Sequence, residues 1–465
     1  MTEQIVEPRP SARPRPTVQL CLASTLYGTV TLTALADSGQ LGRPDRRVLV
    51  LSNNSAHPET SPRLVDQPDF DDLAHHFDEV VDYNAWITPL HPSAWRPREE
   101  ELLMWERAAR QAWGIGEADV QIVCESIQAP PATTVCRMFP DATIDVYADG
   151  LMSYGPTRDR LGATVGTRID RVLHLDLVPG LRPLLLSEWG ARTEVVDTAA
   201  FRAVVAGLGE HLALPVPADE PVALVLGQYM SDLELITLEE ETDLHLRLLG
   251  LAAEAGFGTV VFKPHPSAGS AMITPLQRRA EELGVRLVVF DEPIIAEVLY
   301  ERLSVGLVLS AFSTALMTAA NLYGIPVASL GTGTLLTVLR PYQNSNRIPL
   351  TIVDQLVPQS VADLRRADRP GAEELAPLLT AVAHAMQPGH TEHLRPAAVQ
   401  FLSENYPAYK RYFYKRRLLA AELPGPQRTP VQRVLLEASQ ADHPRIREAV
   451  TRARKLYRRV RRARR

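Results

Sequence analysis

Three short segments carry residue types that together can move a group off a phosphate. The first is K-P-H-P, in which Lys263 offers a positive charge and His265 an imidazole held between Pro264 and Pro266. A proline on each side fixes φ and limits rotation of the loop, so the ring is kept in place. Such a ring can hydrogen-bond a phosphate and protonate it as a bond breaks, and hydrogen bonds to charged groups contribute roughly 1.5 to 3 kcal/mol each. A structural histidine is the plain alternative. The second segment is S-A-F-S-T-A-L, with Ser310, Ser313 and Thr314 at a strand end and helix start. Capping alone explains one serine, whereas three hydroxyls at the positive end of a helix dipole also suit an anion. The third is I-D-V-Y-A-D-G, where a strand delivers Asp149 to a turn and Gly150 allows close approach or a positive φ. Its carboxylate projects from a sheet edge and can take a proton, or it belongs to an ordinary Asp-Gly turn. Asp145, earlier in the same strand, is expected to face a packed layer.

The segments around these residues have the pattern that would position them. Apolar runs at 18–23, 47–51, 120–124, 143–147 and 171–177 read as strands, with helical patterns at 24–38, 70–81 and 99–113. After an amphipathic helix near 198 and the linker L-P-V-P-A-D-E-P, the alternation restarts. Strands are predicted at 222–226, 259–262, 286–290, 305–309 and 326–330, with helices at 239–255, 275–283, 294–300 and 313–323. Strand–helix alternation of this kind predicts parallel sheets, and open α/β sheets bind ligands outside the carboxyl ends of their strands. The expected layout is a disordered segment 1–16, one α/β domain over 17–205, a linker over 206–220 and a second over 221–400. A helix over 401–423 and a basic tail over 430–465 complete it. Four of the five tryptophans, Trp86, Trp95, Trp105 and Trp113, fall together; they either shape an acceptor groove or pack a helical subdomain.

Composition narrows the classes. The chain has 465 residues, 45% apolar and 22% charged, which is enough for two or three domains with buried cores. Its three cysteines form neither a disulfide framework nor a zinc motif, and residues 1–16 lack the apolar core of a secretory signal, so a cytoplasmic location is expected. No charge occurs between Arg302 and Arg340. Gly306, Asn321, Gly324 and Pro326 interrupt that stretch at strand and helix lengths, so it reads as a buried strand–helix–strand unit instead of a membrane span. Residues 445–465 carry a net +10, leaving −16 on the other 444. The basic end suits an anionic lipid surface or a solvated tail, and the acidic body argues against nucleic acid. The run D-F-D-D-L-A-H-H-F-D-E, with Asp69, Asp71, Asp72, His75 and His76, reads as acidic residues at a helix start, so no metal site is expected.

The three segments, in this order, resemble those of the bacterial sialyltransferases, and among them the polysialyltransferase-like proteins. Those families carry an acidic pair followed by Gly, a His-Pro motif and a Ser-Ser/Thr motif. Here these stand as Ala148-Asp149-Gly150, His265-Pro266 and Ser313-Thr314, within a resemblance covering residues 18–358. The resemblance implies a GT-B fold, two Rossmann-like domains with a cleft between them. It also implies inverting, metal-independent transfer of sialic acid, or a related nonulosonic acid such as Kdn, from a CMP-activated donor to a glycan acceptor, with no further cofactor. Asp149 would deprotonate the acceptor hydroxyl, His265 would assist departure of CMP, and Ser313 and Thr314 would hold its phosphate beside Lys263, Pro266 and Ser310. Gly227 and Gln228 are placed to approach the cytidine, and Glu297 to take ribose hydroxyls. Ala148 stands where the first acid is expected, so either Asp149 serves alone or catalysis is impaired. A CDP-glycerol-type teichoic-acid polymerase and a nucleotide-binding scaffold are the competing readings. Surface-polysaccharide synthesis, peripheral on the inner face of the membrane, is the setting that the resemblance implies.

Overall fold

The computed structural model describes residues 15–55, 57–58, 62–67, 69–148, 150–265, 270–365 and 371–425. Asp149, Pro266 and the basic tail at 430–465 therefore lie outside the described residues.

Two wholly parallel sheets organise the chain. The first joins β1 (Thr17–Ala23), β2 (Arg46–Leu51), β3 (Glu79–Asp82), β4 (Asp119–Cys124), β5 (Thr143–Ala148), β6 (Ile169–His174) and β7 (Arg192–Val195) in the order β3-β2-β1-β4-β5-β6-β7. The second joins β8 (Val222–Leu226), β9 (Thr259–Lys263), β10 (Arg286–Val289), β11 (Val305–Ser310) and β12 (Val327–Ser329) in the order β10-β9-β8-β11-β12. Both reverse direction of winding beside their first strand, between β1 and β4 and between β8 and β11. That is the crevice where doubly wound sheets bind ligands.

Burial follows the strand period. Leu20, Leu22, Val48, Val50, Ile122 and Val146 pack into a core on one face of the first sheet, while Cys21, Leu49, Val123, Tyr147 and Leu173 join the core that continues into the second sheet. Successive side chains point to opposite faces, so a sheet covered on both sides reads as a continuous apolar run. Removing one such side chain, as in Ile122→Ala, costs about 2–5 kcal/mol.

Helix starts have clear local causes. Thr25 caps α1 (Leu26–Asp37) by accepting from the Gly28 N–H at 3.0 Å. Thr237 and Glu240 form a capping box on the helix Leu238–Glu254. The uncharged stretch resolves into β11, the helix Thr314–Leu322, β12 and the helix Thr332–Val338, and no described helix is long and apolar enough to cross a membrane.

The fold departs from the sequence reading in two places, the helix expected over 70–81 and strand β7. The helix expected over 70–81 is a short α2 (Phe70–Ala74) followed by β3. The β-branched Val80 and Val81 pair with Leu49 and Val50 of β2, and that tertiary pairing outweighs a helical spacing. Strand β7, R-T-E-V, was not anticipated because an edge strand needs no apolar alternation. The tryptophans form a packed cluster around Tyr83, with Trp86–Trp113 and Trp95–Trp105 centroids both 4.9 Å apart and Trp113 only 1% exposed. This is the packed helical subdomain of the two alternatives that the sequence left open.

Candidate active site

The carboxyl edges of the two sheets meet across a cavity of about 340 Å³. The second sheet contributes Leu226 and Gly227 after β8, Lys263, Pro264 and His265 at the end of β9, and Glu297 in the first turn of the helix Ala296–Arg302. Ser313 and Thr314, after β11, complete that side. The first sheet contributes Tyr27 from α1 and Gly150 beyond β5.

Lys263 is the last residue of β9 and is only 6% exposed. Its Nζ donates to the Glu292 carbonyl at 2.8 Å and lies 5.7 Å from the Phe290 ring centroid. Burial pulls its pKa down to about 8, against the opposing pull of Glu297, Asp291 and Glu292. The cation is thus retained at neutral pH but held loosely. Gly227 explains how the strand ends come so close. Its N–H donates to the Lys263 carbonyl at 2.8 Å, and a Cβ there would lie 3.1 Å from Pro264 Cα and 3.2 Å from the His265 nitrogen.

His265 stacks on Tyr229 with centroids 4.0 Å apart. Burial, reinforced by repulsion from Lys263, lowers its pKa to about 4, although Glu241 pulls the other way. The imidazole is therefore neutral at pH 7 and meets an anion as an N–H donor. Glu297 is 2% exposed, its Oε1 accepts from the Thr318 hydroxyl at 2.7 Å, and burial raises its pKa against the counter-pull of Thr318 and Lys263.

Ser313 caps the helix Thr314–Leu322 and accepts from the Ala315 N–H at 3.2 Å. The Thr314 hydroxyl accepts from the Leu151 N–H at 3.4 Å, so the second sheet's helix start touches the loop that follows Asp149. A Cβ on Gly150 would sit 3.1 Å from the same oxygen, which is why glycine suits that position. The hydroxyl keeps its own proton available for an anion. Ser310 and Gln228 are placed differently. The Ser310 hydroxyl donates to the Leu226 carbonyl at 3.0 Å, and Gln228 Oε1 accepts from the Phe312 N–H at 3.1 Å. Both brace the β8 and β11 ends and neither lines the cavity.

Sequence reasoning missed Tyr27 and Tyr229. The Ser-Thr pair before Tyr27, at the end of a buried strand, was the available signal for the first; nothing local marked the second. Also unanticipated is Glu125, at the end of β4, which accepts from the backbone N–H of Ser24 at 3.0 Å and from its hydroxyl. It fixes the loop that feeds α1. Ala148 ends β5 and pairs with His174 of β6.

Two Rossmann-type parallel sheets whose carboxyl edges share one cavity are the GT-B arrangement. The model of the alpha-2,8-polysialyltransferase (POLYST) family matches residues 19–332, two thirds of the sequence and a span that includes residues 148–150, 265–266 and 313–314, and the chain belongs to that family. No curated protein sequence matches it significantly. Among solved structures, Acinetobacter baumannii MurG is similar at 9% identity and a TM-score of 0.39, covering 82% of this chain and 98% of its own. The UDP-GlcNAc 2-epimerase of Methanocaldococcus jannaschii is similar at 11% identity and a TM-score of 0.43, covering 78% and 99%. Phytolacca americana UGT2, complexed with UDP-2-fluoro-glucose and pterostilbene, is similar at 14% and 0.39, covering 82% and 94%.

Proposed function

We propose that this glycosyltransferase moves sialic acid, or a related nonulosonic acid such as Kdn, from a CMP-activated donor to a glycan hydroxyl, with inversion and without a metal ion. The observation that carries the reading is the cavity itself, which joins Lys263, His265, Ser313 and Thr314 of one sheet to Gly150 of the other. The donor phosphate would rest at the amino end of the helix Thr314–Leu322, where the dipole and hydroxyls favour an anion. Lys263 supplies the positive charge that a metal would otherwise bring.

In the transfer, the acceptor oxygen attacks the anomeric carbon while Asp149 takes its proton. The bond from that carbon to the phosphate oxygen breaks, and its electron pair leaves with CMP. The neutral His265 donates an N–H hydrogen bond to that oxygen, which stabilises the negative charge as it builds there. Glu297 takes ribose hydroxyls and Gly227 lets the nucleotide approach the backbone. Pro266 is retained in this proposal as a nucleotide contact. Ser310 and Gln228 support the same edge from behind. The basic tail holds the enzyme at an anionic membrane surface near a polysaccharide acceptor.

A donor panel with mass-spectrometric detection of the released nucleotide tests the reading. CMP release from CMP-sialic acid or CMP-Kdn, dependent on a glycan and resistant to chelator, is expected. Turnover of CDP-glycerol alone, or of UDP-sugars alone, would overturn it.

A further inference from the structure

The geometry points to a divalent transition-metal site on the first sheet's helical layer, formed by Asp37, His75 and His76 and separate from the cavity. Asp37 is the last residue of α1, and the two histidines follow α2 directly. His75 Nε2 lies 3.5 Å from Asp37 Oδ1, and His76 Nε2 contacts the same oxygen. The three ligand atoms all fall within 4.8 Å of one another. Zinc–nitrogen bonds of 2.0–2.1 Å place neighbouring ligands of a tetrahedral site about 3.3 Å apart, so small rotations seat an ion. Two imidazoles and one carboxylate are a donor set for Zn²⁺, Co²⁺ or Ni²⁺, with the fourth position left to water.

Two further features support a binding site over a simple ion pair. His75 Nδ1 faces the Asp72 carbonyl, which fixes its N–H there and turns the Nε2 lone pair towards the other ligands. The two elements that carry the ligands are also locked together. The Thr33 hydroxyl of α1, buried, donates to the Leu73 carbonyl of α2 at 2.8 Å, and α2 is further tied at its start, where Asp69 accepts from the Gly209 N–H at 2.8 Å. The ligands therefore meet without a large ordering cost. In an ion pair alone, two imidazoles converging on one carboxylate oxygen gain little from the second ring. The imidazole centroids are 4.0 Å apart.

Tyr27, which lines the cavity, stands near the opposite end of α1. Ten residues at 1.5 Å each separate the two by about 15 Å. An ion at Asp37 would pin the α1–α2 junction without touching the leaving phosphate. The inference does not depend on the donor proposed above.

The test uses the full chain, free of any histidine tag and stripped with chelator. Titration with Co²⁺, followed by its visible absorption, and with Zn²⁺, followed by calorimetry, should show one saturable ion per chain, and Zn²⁺ should raise Tm. Asp37→Asn and His76→Ala should each weaken binding by about 100-fold or more, beyond the 10- to 100-fold cost of an outer-shell change. Both should also abolish the Tm shift. Lack of saturable binding, or binding and a Tm shift that survive both substitutions, would overturn the proposal.

Discussion

At the carboxyl edge of the five-stranded sheet the cavity meets Lys263, His265, Glu297, Ser313 and Thr314, whereas at the edge of the seven-stranded sheet it meets Tyr27 and Gly150. The winding order is the same in both, so the fold alone does not account for the difference. On the first sheet the ionisable groups near the strands hold structure. Arg171 binds Asp145 and Glu194, each at 2.8 Å, and Glu125 fixes the Ser24 loop. On the second sheet Lys263 and Glu297 are buried at the cavity wall, and burial moves both from their ordinary pKa values. Groups held away from water at a cavity wall are where binding and proton transfer concentrate. On the proposed reading the first wall would face the acceptor, and Asp149 would supply the base.

The sharpest way to break this contrast is Asp149→Ala. Transfer should fall by roughly 10²- to 10⁴-fold while calorimetric CMP affinity stays the same. Loss of CMP binding would move the nucleotide to the wrong wall, and retained transfer would remove the base. His265→Gln should lower kcat/KM by about 10²-fold and weaken CMP binding as well, because its proposed role spans leaving group and phosphate. The same residue predicts an acid effect. Its folded pKa of about 4 lies below the ordinary 6.5, so the unfolded chain binds more protons between those values. Stability from this group is full above pH 6.5 and is lost as pH falls towards 4. Melting curves of His265→Gln should therefore show a shallower acid decline than wild type.

Lys263 sharpens the comparison on the alkaline side. As pH rises through about 8 the ammonium loses its charge, so kcat/KM, which reports the free enzyme, should decline there. Lys263→Met should lower kcat/KM at pH 7 and remove that limb; an unchanged limb would assign it to another group. The smallest effect is expected where the walls touch. Thr314→Val loses one hydrogen bond to the Leu151 N–H, worth about 0.5–1.5 kcal/mol, or roughly a 2- to 10-fold drop in kcat/KM. Thr314→Ser should restore it.

Much of this was legible in the chain. Apolar runs such as V-A-L-V-L and V-G-L-V-L-S mark strands buried on both faces, and K-P-H-P and S-T mark where they stop. The motif order carried the family. What misled was local pattern without knowledge of neighbours: Val80 and Val81 fit a helix until β2 is beside them. Ser310 and Gln228, expected among the nucleotide contacts, hydrogen-bond at the β8 and β11 ends, a placement that spacing does not report.

Periodicity and turn chemistry by themselves determined that two parallel α/β units exist and where their strands end, because a strand's apolar pattern and a proline's φ are local properties. The tertiary structure alone decided which ends face one another, and so which residues share a cavity. It set the protonation of Lys263 and His265, since desolvation depends on what packs around a group. It also brought Asp37 to His75 and His76, nearly forty residues along the chain. Spacing in sequence cannot report such a meeting, because it is the packing of α1 on α2 that creates it.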